Sequence, residues 1–168
     1  SAERGKETIH AGLKEARSTI ELKGSVVANG VTDKSLANGD AVWTASAGAN
    51  TYKDSTDKKE GTSSATVVID STSTTGLFAY KDPDAPVDMS STDSVKVWIK
   101  SSVSTSYGDL ELVLDDTAAC GSTIGTLDVP ALVADTWKLA IIASTSTNAN
   151  LSTVRCVGLN VVIDNGLQ

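Results

Sequence analysis

Two runs near the middle of the chain alternate strictly between two sets of positions. Val95, Val97 and Ile99 alternate with Lys96, Trp98 and Lys100, and Leu110, Leu112 and Leu114 alternate with Glu111, Val113 and Asp115. A period of two places one set of side chains on one face of a strand. The pattern predicts two strands joined as a hairpin by the turn at Ser104–Gly108, with the leucine row in the core. The flanking chain must then supply the opposing sheet.

Further strands are expected at Ala41–Ser46, Ser64–Asp70, Leu77–Tyr80, Thr126–Val129, Thr136–Ala143 and Val154–Asp164. Within Thr136–Ala143, Trp137, Leu139 and Ile141 alternate with Lys138 and Ala140. The segments between these strands are rich in Ser, Thr, Asn, Gly and Pro, the residues of turns and loops. Ala47–Thr62 and Lys81–Ser91 read as polar loops, and no repeat period is visible. About eight short strands with turn signals between them argue a two-sheet antiparallel sandwich, in particular a jelly roll.

The first part of the chain has a different period. Ile9, Leu13, Ala16 and Ile20 recur at steps of four, three and four, one stripe of an amphipathic helix, with Gly24 as its stop. Gly5 and Gly12 weaken such a helix by about 1 kcal/mol each relative to Ala. A helix that marginal needs a surface to pack on. The expected organisation is a helical arm over 1–24, a linker over 25–39 containing Asn29-Gly30 and Asn38-Gly39, and an all-β domain over 40–168. The arm is expected to bury its stripe on a neighbouring polypeptide.

Composition narrows the function classes. The length, 168 residues, suits one domain with a proper core. Fourteen basic residues against 21 acidic ones leave a net charge of −7, which disfavours nucleic-acid backbone binding. No apolar run approaches a membrane span. The chain opens at Ser1 without a leader-like core, which reads as a processed end. Cys120 and Cys156 form either one disulfide or two unpaired thiols, since spacing alone does not decide.

Catalytic signatures do not emerge. His10 is the single histidine and falls in the expected helix, and Gly-x-Ser-x-Gly is absent. Asp54 with Asp57, and Asp115 with Asp116, are acid pairs in turn-like sequence, where the capping of turns explains them. Trp43, Trp98 and Trp137 are expected in the core because indole buries a large area. Tyr52, Tyr80 and Tyr107 lie in or beside loops and are the candidates for ligand or neighbour contact.

Several segments resemble a known group. They are Glu60-Gly61-Thr62-Ser63-Ser64, Trp98–Ser102 with Gly108–Asp116, Leu127–Leu132 with Asp135–Lys138, and Val157–Leu159 with Val162–Asn165. Together they resemble jelly-roll domains of the carbohydrate-binding-module type, which also occur in structural proteins of tailed bacteriophages. The Ser/Thr-rich, aromatic-poor texture is closer to the phage proteins. The resemblance implies a non-enzymatic virion structural protein, a capsid decoration or fibre-like subunit. Its partners would be neighbours in a homo-oligomer or capsid shell, at the particle surface. The alternative it implies is a secreted carbohydrate-binding module holding glycan through loop aromatics. It also implies a structural Ca²⁺ held by Asp40, Glu60 and Asp164, hard oxygen ligands suited to that ion. No other cofactor is expected.

Overall fold

The computed structural model describes residues 16–30, 34–37, 41–59, 61–143 and 149–164. Among them are eleven strands: β1 (Ala16–Gly30), β2 (Lys34–Ala37), β3 (Thr44–Ala45), β4 (Ala49–Asp54), β5 (Ser64–Asp70), β6 (Gly76–Lys81), β7 (Thr92–Ser101), β8 (Leu110–Asp115), β9 (Thr123–Asp128), β10 (Lys138–Ala143) and β11 (Cys156–Val161). Two short 3₁₀ turns, Ala118–Cys120 and Ala149–Thr153, are the helical elements of the described residues.

The strands form two sheets. The first has the order β10-β7-β1-β5-β4, with β2 also paired to β1; the second has the order β3-β6-β11-β8-β9. Every recorded pairing between named strands is antiparallel. One core joins the sheets, giving a sandwich-like all-β fold. Val95, Val97 and Ile99 of β7 and Val67 and Ile69 of β5 meet Leu112 and Leu114 of β8 and Leu159 of β11. Trp43, just before β3, is 1% exposed and belongs to that core.

The leucine row of β8 is buried as its alternation predicts, and Glu111 between them is only half-buried. The hairpin is corrected. β7 pairs with β1 and β10, whereas β8 pairs with β11 and β9. The eight residues from 102 to 109 therefore cross from one sheet to the other, a gap of about 10 Å. Each strand has one apolar face, and facing sheets cover both at once. Gly108, in that crossing, has φ +79°, a left-handed conformation that glycine adopts without steric cost.

The helical arm is corrected over its second half. Residues 16 to 24 belong to β1, which lies between β5 and β7. The same strand runs through the expected linker to Gly30, and β2 occupies 34–37. Ala16 and Ile20 are strand residues, opposite Asp70 and Val67 of β5. Ile20 and Leu22 alternate with Glu21 and Lys23, so period two fits this segment as well as the helical period does. Ladder pairing on both sides of β1 outweighs a marginal local helix. Ile9 and Leu13 lie outside the described residues.

A disulfide joins Cys120 to Cys156 across 36 residues. It fastens the Ala118–Cys120 turn to the start of β11. Ala119 and Cys120 both take left-handed backbone conformations there, with φ 59° and 52°. Asp115, fully buried at the end of β8, organises the same turn. Its carboxylate accepts from the Thr117 amide at 2.7 Å, the Thr117 hydroxyl at 2.8 Å and the Ser122 amide. Gly158 lies beneath the bridge, where a Cβ would meet Leu77 Cδ1 at 2.5 Å and Cys120 Sγ at 3.2 Å.

Candidate functional site

The side chains with the richest chemistry gather on the outer face of the first sheet. On β7 the core takes Val95, Val97 and Ile99, so Lys96, Trp98 and Lys100 face away from it. On β10 the core takes Ala140 and Ile142, leaving Leu139 and Ile141 outward, 41% and 60% exposed. The register sets Leu139 opposite Trp98 and Ile141 opposite Lys96. Trp98 and Trp137 are thus corrected from core to outer face, both half-buried. The apolar run Leu-Ala-Ile-Ile-Ala carries hydrophobic residues at both parities, so its period did not reveal which face turns inward.

The β4–β5 connection straps this face. Ser64 and Thr66 of β5 alternate with the core residues Ala65 and Val67 yet are 0% exposed, so their side of the sheet is covered. Asp54 shapes the start of the strap by accepting from the Thr56 hydroxyl, the Thr56 amide and the Asp57 amide. The Thr56 hydroxyl and amide bonds hold the Asp54 carboxyl below its ordinary pKa. Asp57, further along, accepts from the Lys100 ammonium and from Trp137 Nε1 at 2.7 Å. The Lys100 bond is the main reason its pKa is also lowered, with Trp137 adding to it.

The lysines cover both indole rings. Lys59 Nζ sits 5.6 Å from the centroid of Trp98, and Lys100 Nζ sits 5.4 Å from that of Trp137. Both distances lie within cation–π range. Asp57 and Lys59 of the polar loop, together with Lys100 of β7, thus form a clasp over two tryptophans. Sequence reading missed the pair; the Asp-rich, Lys-rich composition of 53–59, with two outward-parity tryptophans elsewhere, was the available signal.

At the β10 side of the sandwich a cleft of about 170 Å³ opens between β9 and β10. Tyr107, Asp128, Pro130 and Ile141 line it, with Leu127 and Ile142 also contributing. Tyr107 is 70% exposed. The charge on Asp128 is the first cause that raises the Tyr107 pKa above 10, because a phenolate beside a carboxylate is disfavoured.

The three expected contact tyrosines do not converge. Tyr52 lies on β4 and Tyr107 beside β10, at opposite ends of the first sheet's order, while Tyr80 lies on β6 of the second sheet. Of the expected Ca²⁺ ligands, Asp40 and Glu60 lie outside the described residues, and Asp164 is half-buried after β11. Among the described residues no three of His, Cys, Asp and Glu come together as a metal site. His10 lies outside the described residues, and none of the described helices is long and apolar enough to cross a membrane. Comparison of the chain with protein-family models, curated proteins and solved structures finds no match.

Proposed function

We propose that this protein is a non-enzymatic structural subunit of a bacteriophage virion, a capsid decoration or fibre-like protein built on a jelly-roll sandwich. The observation that carries the reading is the outward side of β10, where Leu139 and Ile141 stand exposed and Ile141 borders the cleft with Tyr107. Two exposed aliphatic side chains on one strand at a sheet edge are a surface that contact with protein would cover. The winding is consistent with a jelly roll: from β5 onward every connection except β8–β9 crosses between the sheets. The disulfide fits a particle surface, since such bridges persist in oxidising surroundings. In this reading the protein works by adhesion, burying one edge of the sandwich against neighbouring subunits while polar loops face solvent.

Glycan binding is the second reading, favoured by the cleft with Tyr107 and Asp128 as stacking and hydrogen-bonding groups. It loses the two tryptophans as a sugar platform, because Lys59 and Lys100 sit over their rings. Gold-labelled antibody against the protein, applied to intact particles, tests the first reading. Labelling over the particle surface supports it, and particles bare of gold overturn it. A glycan microarray probed with the purified protein tests the second, with Tyr107→Ala as the control.

A further inference from the structure

We propose that β10 is a dimerisation edge, at which two copies of the chain pair β10 to β10 antiparallel about a twofold axis at Ala140. The inference rests on the assembly reading above for its biological meaning, but its geometry is that of the sandwich alone.

β10 closes one end of the first sheet, so its outer backbone edge is paired with no strand among the described residues, and β9 of the second sheet approaches it only across the cleft at Ile141–Ala143. Sheet edges are ordinarily blunted by charge, proline, bulges or brevity, because unpaired N–H and C=O groups recruit another strand. The other terminal strands show such devices. β3 is two residues long, β4 carries Lys53 and Asp54, and β9 has a register shift against β8 and is soon followed by Pro130. β10, Lys-Leu-Ala-Ile-Ile-Ala, has none beyond Lys138, and it pairs with β7 over all six residues without a register shift.

The strand is also complementary to itself. With Ala140 opposite Ala140, Leu139 of each copy faces Ile141 of the other, so the two exposed apolar side chains cover each other twice. The parity is preserved: outward residues meet outward residues, and Ala140 and Ile142 remain on the core side of a continuous sheet. Lys138 falls opposite Ile142 of the second copy, which sets the two lysines at opposite ends of the seam. No like charges confront each other along the pairing. A twofold contact uses the same patch on both copies and closes at two subunits, so it adds no open-ended growth.

Sedimentation equilibrium of the purified chain, through millimolar concentration, should give a species of twice the chain mass. Ile141→Lys should convert it to a folded monomer whose melting temperature matches the parent's at dilutions where the parent is also monomeric, because that side chain is 60% exposed in the single copy. A mixture of Leu139→Cys and Ile141→Cys proteins, mildly oxidised, should cross-link across the seam, while neither variant alone should. A monomer at every concentration overturns the proposal. So does an Ile141→Lys protein that stays dimeric, and cross-linking by Ile141→Cys alone contradicts the stated register. A monomeric chain that still labels particles would remove this interface and leave the virion reading standing; a dimer that labels no particle would do the reverse.

Discussion

Trp137 donates its indole N–H to the carboxylate of Asp57 at 2.7 Å, across 80 residues of sequence. The same carboxylate holds Lys100, so one acid joins the β4–β5 strap to both β7 and the residue leading into β10. Asp57→Asn removes the ion pair and should lower stability by about 1 kcal/mol, a small figure because the pair is partly exposed. It should also increase quenching of tryptophan fluorescence by iodide, as the clasp over Trp98 and Trp137 loosens.

The acid response of this clasp has a definite sign. The Asp57 pKa is lowered in the folded protein, so its stabilising contribution is complete above the ordinary carboxylate value of 3.8. That contribution disappears as pH falls through the lower, folded value. Chemical denaturation at a series of pH values should show a shallower acid loss for Asp57→Asn than for the parent. An equal loss in both would mean that Asp57 does not hold the strap.

In the core, Leu112 is 0% exposed at the centre of β8, paired with Leu159 of β11 and Leu127 of β9. Leu112→Ala should destabilise the protein by about 2–5 kcal/mol, read from denaturant midpoints. This row was legible from sequence because strict alternation and flanking turn residues agreed. The partner of each strand was not legible, since alternation says which face is buried and nothing about which sheet covers it. The β10 parity was hidden by apolar residues at successive positions, and its outward Trp137 is held by an acid that is distant in sequence. In β1, the helical and extended periods fit the same residues from 16 to 23, and only pairing on both sides decides between them. The polar loop Ala47–Thr62 concealed the edge strand β4, whose exposed face requires no hydrophobic signal.

Closing the loop between Cys120 and Cys156 restricts the unfolded chain. For a separation of 36 residues the chain-entropy estimate is about 3–4 kcal/mol. Reduction, or Cys156→Ala with Cys120→Ala, should lower the denaturation midpoint accordingly. A midpoint unmoved by reductant would show that the bridge contributes nothing to folding.

Asp128 raises the Tyr107 pKa, so Asp128→Asn should move that titration down toward 10. The difference in phenolate absorbance between each protein and its Tyr107→Phe counterpart isolates this one tyrosine. A Tyr107 titration that ignores Asp128 would remove the carboxylate from the cleft as described.

The claim that the protein is a virion structural subunit is tested most directly by quantitative mass spectrometry of density-banded, washed particles. Peptides of this chain are expected in a fixed, multi-copy ratio to the major shell protein across the whole particle band. Particles that lack those peptides, or hold them in a ratio that falls with each wash, would contradict it.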